Sequence, residues 1–210
     1  MTAALPKLTF TALAKFMNSS SHAQMCAVLK AQRYPAQGPI MSYRRVEHAA
    51  VAHLVDGTPL PLGSGLDPYE IEALQAFAAV RAAGLLPNAT YRRPSPNQPK
   101  LELHGVLVSC QPTVVYRLPS GQLGAVKLYL NKEPRLGAVG KKMATLLWYH
   151  LNRLNPSYEK SAVRVIDVRA MAVYEAGAHV QLIERLGPTC LVVKALWGAV
   201  ASEAMLAGAR

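Results

Sequence analysis

The chain has 210 residues, 51% of them hydrophobic and 17% charged, which excludes a wholly disordered chain and gives enough length for one large domain or a core with a smaller helical extension. Its 23 basic and 12 acidic residues leave a formal charge of +11. A domain this basic is expected to meet a polyanion, nucleic acid first and an acidic protein surface or anionic membrane next, with a plain solubility surplus as the alternative.

Residues 8–32 read as two helices. Thr9 or Thr11 caps the first, which carries Leu13, Phe16 and Met17. The run Asn18-Ser19-Ser20-Ser21 breaks it and caps a second helix through Met25, Val28 and Leu29, and Tyr34-Pro35 ends that one. After a loop at Gly38-Pro39, residues 43–55 read as a helix with Val46, Ala49, Ala50 and His53 on roughly one face, closed by Asp56-Gly57. A loop rich in Gly and Pro follows. Asp67-Pro68 then supplies an N-cap and a first helical position for a helix to Ala83, striped by Ile71, Leu74, Phe77, Ala78 and Val80. Gly84 is its C-terminal signal. Residues 87–99, with four prolines and two arginines, read as an exposed linker.

The sheet signal follows. Val106 with Val108 and Val114 with Val115 form two short β-branched runs, Pro119-Ser120-Gly121 marks a turn, and residues 123–130 form a third apolar run holding Lys127. Met143, Leu146, Leu147, His150, Leu151 and Leu154 recur at helical spacing until Asn155-Pro156. Residues 162–174 are strongly β-prone, and 179–186 read as their hairpin partner. Gly187-Pro188 introduces a last helix over 190–207, in which Lys194 and Glu203 argue against a membrane span. The expected fold is α+β, with a mixed central sheet of about five strands flanked by helices and a helical N-terminal region. Its expected parts are a helical region 1–86, a Pro-rich linker 87–99, a sheet core with one helix 100–187 and a C-terminal helix 188–210.

Cys26, Cys110 and Cys190 are odd in number, far apart and without CxxC spacing, so they are expected to be reduced thiols of a cytoplasmic protein and not a metal site. No secretory signal is apparent in the first residues. Walker, GxGxxG and Ser–His–Asp patterns are lacking, and no cofactor is expected. The strongest binding signal is the run Lys127, Lys132, Arg135, Lys141 and Lys142, interrupted by Glu133 in a stretch with Pro134, Gly137 and Gly140. Cations beside glycine-exposed N–H groups at a helix start suit phosphate, whereas the bland alternative is a solvated loop. Arg44-Arg45 and Arg92-Arg93 are further basic pairs. Lys127 itself, within LGAVKLYL, reads structurally as pointing out of a half-exposed sheet face with Ala125 and Tyr129, and functionally as a phosphate contact.

The order helix, strand, hairpin, strand, basic helix resembles the PD-(D/E)xK nuclease-like superfamily, especially its RecB and Cas4-like branch, over residues 43–185. That resemblance implies a Pro-Asp opening the second core strand and a Glu-x-Lys on the third, where two carboxylates hold Mg²⁺ and the lysine orients or activates water. Here Gln111-Pro112-Thr113 and Ala125-Val126-Lys127 occupy those places. Pro112 and Lys127 match, whereas Thr113 and Ala125 cannot hold a metal, so the implied site is a relic without catalysis. In this family a helical histidine assists the metal, and His48, beside Glu47, is the corresponding position. For a displaced metal site the available recruits are Glu47, Glu102 and Asp167, although Asp167 also reads as a strand-face partner of Arg169.

Three functions follow as expectations. The first is a nucleic-acid-binding, catalytically inactive nuclease-like subunit or accessory factor of a larger nucleoprotein complex. The second is an interaction or assembly factor, with a protein partner or self-association through Leu191, Val192, Leu196, Val200 and Leu206 of the last helix. The third is an active Mg-dependent nuclease using Glu102 or Asp167.

Overall fold

The computed structural model describes residues 5–34, 43–63, 65–132, 136–177 and 180–208. A short strand β1 (Lys7–Thr9) opens the chain and runs into helix α1 (Phe10–Asn18). The Thr9 side chain accepts from the Ala12 N–H at 3.1 Å, so this threonine ends the strand and caps the helix. Helix α2 (His22–Arg33) is capped in the same way by Ser21, and helix α3 (Arg44–Asp56) ends on Gly57 in the left-handed conformation. Helix α4 (Pro68–Ala82) starts at Asp67, whose backbone N–H donates to Glu70 Oε2 at 3.0 Å. Strands β2 (Thr90–Arg92), β3 (Leu101–Leu103), β4 (Val106–Ser109), β5 (Val114–Arg117) and β6 (Leu123–Tyr129) follow. Helix α5 (Ala138–Leu154), strands β7 (Tyr158–Asp167) and β8 (Ala172–Glu175), and helices α6 (Val180–Glu184) and α7 (Leu186–Gly208) complete the order.

The architecture is the expected α+β one, with a five-stranded mixed sheet. Its organisation is not serial. One unit comprises Met1–Ile40, Pro99–Cys110 and Ala178–Arg210, and the other Met41–Gln98 and Gln111–Gly177. The first holds a three-stranded sheet in the order β1-β4-β3, in which Lys7 pairs with Leu107 in parallel. His104 and Gly105, at φ 47° and 77°, form the two-residue turn of the β3–β4 hairpin, where consecutive positive φ values match the strand twist. In this unit Arg33 donates to the Trp197 carbonyl at 2.7 Å and lies against the rings of Tyr34 and Trp197. Among the described residues no helix is long and apolar enough to cross a membrane.

The second unit carries the larger sheet, ordered β2-β5-β6-β7-β8. Strands β2, β5 and β6 form an antiparallel meander, and α5 crosses over so that β7 runs parallel to β6. Val46 and Ala50 of α3 and Leu74, Phe77 and Val80 of α4 pack on Val114, Tyr116, Val126, Leu128 and Ile166. Burying each of these large side chains contributes roughly 1.5–3 kcal/mol. Gly124 permits one close approach: a Cβ there would collide with the Tyr116 ring and the Ala162 carbonyl. Tyr116 lies across the strand at that point, and its hydroxyl donates to Ala162 O at 2.6 Å.

Several local expectations are corrected. Residues 90–92 are not linker but the edge strand of the five-stranded sheet, because their N–H and C=O groups pair with β5. Val106–Ser109 is a strand of the other sheet, so the meander that contains Lys127 begins at β2. The partner of β7 is β8, reached by a tight turn after Asp167, whereas Val180–Glu184 is helical. Ala125 and Tyr129 are buried at 0% and 6% exposure, so no half-exposed strand face carries Lys127 to solvent.

Candidate nucleic-acid interface

Thr113 and Lys127 come together through sheet register. The backbone of Thr113 donates to Val126 O at 2.8 Å, one step before the Val114–Val126 pair. Lys127 lies between Val126 and Leu128, both of which face the core under α3 and α4, so strand alternation turns it out of that core. Its ammonium meets Glu47 Oε1 at 2.7 Å from α3, and the Thr113 hydroxyl donates to the same oxygen at 2.6 Å. Thr113 Oγ1 also accepts from the Leu128 N–H at 3.2 Å, which ties the side-chain cluster to the strand ladder.

Glu47 and Lys127 keep one third and about one quarter of their side-chain surface exposed (33% and 23%). Burial pushes the Glu47 carboxyl up, but the Lys127 ammonium, the hydrogen bonds from Lys127 and Thr113 and the nearby His48 outweigh it, so the group is held below the ordinary carboxylate range. With both partners part-exposed, the pair adds roughly 1 kcal/mol to stability, well short of a dry ion pair.

These residues line an open cleft of about 690 Å³. Along α3, Arg44, Glu47, His48 and Val51 recur at helical spacing and form one wall. Arg93, Pro94 and Pro96 form another, just after the edge strand β2, and Gln111 and Pro112 lead to Thr113. Arg93 is held by both carboxylate oxygens of Asp56, with Nη1 at 2.9 Å from Oδ1. The lining therefore carries three permanent cations, Arg44, Arg93 and Lys127, of which Arg93 is paired with Asp56 and Lys127 with Glu47. Among the described residues no cluster of three or more His, Cys, Asp or Glu side chains could hold a metal ion.

The remaining expected site residues lie elsewhere. Arg45 pairs with the buried Glu70 at 3.2 Å and donates to Gly65 O, fastening α3 to the start of α4. Arg92 is exposed on the edge strand. Lys132 is 3.3 Å from Glu72, Lys141 is exposed in the first turn of α5, Lys142 is half-buried, and Arg135 lies outside the described residues. Glu102 is exposed on β3, in the unit that does not contain the cleft. Asp167 is 2% exposed, and its oxygens accept from the N–H groups of Leu136 and Ala170. Its work is to hold the turn after β7. Arg169 lies beyond that strand, bonded to Glu72, Leu130 O and Tyr69 O, so the two residues are not a strand-face pair. What sequence reasoning missed is the proline wall. Pro94 and Pro96 are local punctuation until a strand just before them places them beside α3.

No protein-family model, curated protein or solved structure matches this chain.

Proposed function

We propose that this protein binds nucleic acid in the α3–β6 cleft without cutting it, as a degenerate PD-(D/E)xK-like subunit or accessory factor of a larger nucleoprotein assembly. The cationic lining of that cleft carries the proposal: Arg44, Arg93 and Lys127 stand on it together, with Arg93 held by Asp56 and Lys127 by Glu47. The nuclease resemblance enters here on position alone, since its expected first strand, Val106–Ser109, pairs in the other sheet. Thr113 leads into β5 and Lys127 stands on β6, the second and third strands of the β2–β5–β6 meander. Pro-Asp and Glu-x-Lys belong at those two places in that family, and Ala125 leaves a methyl where its second acid belongs. The buried free thiols Cys26, Cys110 and Cys190 suit a reducing compartment, and we place the protein in the cytoplasm.

Fluorescence anisotropy with labelled single- and double-stranded DNA and RNA, with and without Mg²⁺, tests this. Three phosphate contacts on a single strand predict a slope near −2 for log affinity against log salt, since each releases about 0.7 counterion. Binding with that slope and no product is the expected result. Mg²⁺-dependent cleavage would mean that carboxylates other than Glu47 complete a metal site, and binding indifferent to salt would remove the phosphate contacts.

A second reading has its own observation. Leu191 and Val192 of α7 are 59% and 44% exposed, and Val192 borders a groove of about 240 Å³ lined by Phe16, Met17, Met25 and Pro188. That surface suits a protein partner or a second copy. Charged replacements at these two positions probe it better than removal of the helix, because Cys190 and Val193 of the same helix are fully buried.

A further inference from the structure

The cleft contains an acceptor that binding of phosphate alone leaves unused. Both donors to Glu47, the Lys127 ammonium and the Thr113 hydroxyl, bond to Oε1. Oε2 receives no hydrogen bond among the described residues and is not a buried atom. Around it the lining mixes cations with the apolar surfaces of Val51, Pro94, Pro96 and Pro112. A sugar–phosphate chain needs only the cations. An unstacked base needs an apolar wall for its face and a polar group for its edge, and this cleft supplies both.

We infer that Glu47 reads a base of a single strand, accepting through Oε2 the exocyclic amine of cytosine or adenine while the cations hold the neighbouring phosphates. This rests on the nucleic-acid-binding proposal above. A carboxylate only accepts hydrogen bonds. Cytosine N4 and adenine N6 offer an amine, whereas thymine and uracil present a carbonyl oxygen at the corresponding position, which meets the carboxylate as like against like. Because Glu47 is recessed beside Thr113 and Lys127, a base must leave its stack to reach it, so a paired strand is read poorly.

The same geometry dictates what the isosteric amide would do. Lys127 donates only, and Thr113 accepts from Leu128, so its hydroxyl proton is directed at position 47. In Glu47→Gln both donors therefore demand the carbonyl oxygen at the Oε1 position, which leaves the NH₂ group where Oε2 stood. Preference should invert, toward the carbonyl of thymine or uracil.

The test is anisotropy of the full-length protein with labelled dC, dT, rC and rU oligomers of equal length, repeated with N4,N4-dimethylcytosine in place of cytosine. The wild-type protein is expected to favour cytosine over thymine, and cytosine over uracil, by about tenfold, the worth of one charge-assisted hydrogen bond. Dimethylation should remove that preference in the unaltered protein, which guards against a misfolded variant. Glu47→Gln should reverse it. Equal binding of all oligomers, a preference that survives dimethylation, or one unchanged in Glu47→Gln overturns base reading while nucleic-acid binding stands. Failure to bind any oligomer overturns both. DNA and RNA arms that behave alike place recognition in the base; a gap between them larger than that between bases overturns Glu47 as the main determinant.

Discussion

Two carboxylates in the five-stranded unit, Glu47 and Glu72, each sit between two donors, yet only one of them lines a cleft. Glu72 is 54% exposed on α4 and takes two cations, Lys132 at 3.3 Å and Arg169. Its carboxyl is held low by the Lys132 hydrogen bond first, against some burial, and by Arg169 next. Arg169 spends its other donors on Leu130 O and Tyr69 O, so the cluster ties α4 to the end of β6 and to the turn after β7. Glu47 has one cation and one hydroxyl, both on a single oxygen, at the side of a concavity. Ion pairing alone does not separate a fastening from a site. Capacity left over does, together with walls that limit what can reach it.

Four measurements test whether the two clusters differ in this way. The largest effect is expected from Arg44→Glu combined with Arg93→Glu. Affinity for a single strand at low salt should fall by about a hundredfold and the salt slope should flatten by roughly one to two. Lys132→Glu should do neither; an equal loss there would erase the distinction between the clusters. Next, Arg169→Ala should lower the unfolding free energy in urea by about 1–2 kcal/mol, through three lost anchors, with binding unchanged. Glu47→Gln should cost less, roughly 0.5–1 kcal/mol near neutral pH. Its pH signature is distinctive. The folded pKa of Glu47 lies below its ordinary value of 4.5, so its share of stability is present above that pH and disappears as pH falls through the lowered folded value. In the glutamine variant that part of the acid sensitivity should vanish, and an unchanged acid profile would mean that Glu47 is not held ionised. The smallest effect is expected from Leu191→Lys with Val192→Lys, within about 0.5 kcal/mol of wild type because both positions are exposed. If α7 is an interface, sedimentation should nevertheless show weaker association.

Local chemistry made the helices legible. Thr9, Ser21 and Asp67 cap where their side chains predict, and Gly57 closes α3 with a positive φ. Strands were legible as strands but not as members of a sheet. Val106 and Val114 carry the same β-branched signature only eight positions apart, yet one pairs with β1 and β3 and the other with β2 and β6. Nothing in a short apolar run specifies its neighbour. The edge strand Thr90–Arg92 has too few apolar residues to stand out among prolines and arginines, since only one side of it pairs. The site divides similarly. Glu47, Thr113 and Lys127 were each identifiable, but their meeting depends on register and on a helix 80 residues from the lysine. A buried face filled by Ala125 and Tyr129 was likewise invisible in an alternating strand, and it changes Lys127 from a solvent-directed group to a paired one.

The interrupted route of the chain has a consequence in time. The unit made of Met41–Gln98 and Gln111–Gly177 has all its parts once residue 177 has been synthesised. The other unit begins with β1, which waits for Leu107–Ser109 to pair and then for α7, made after the five-stranded unit. During translation the cleft-bearing unit therefore has all its parts first, while α1 and α2 wait for α7. Long-range pairing of this kind closes slowly and leaves apolar surface open meanwhile. A chain truncated between residues 177 and 186 and released from the ribosome should already protect the five-stranded sheet from proteolysis, yet still be cut within α1 and α2.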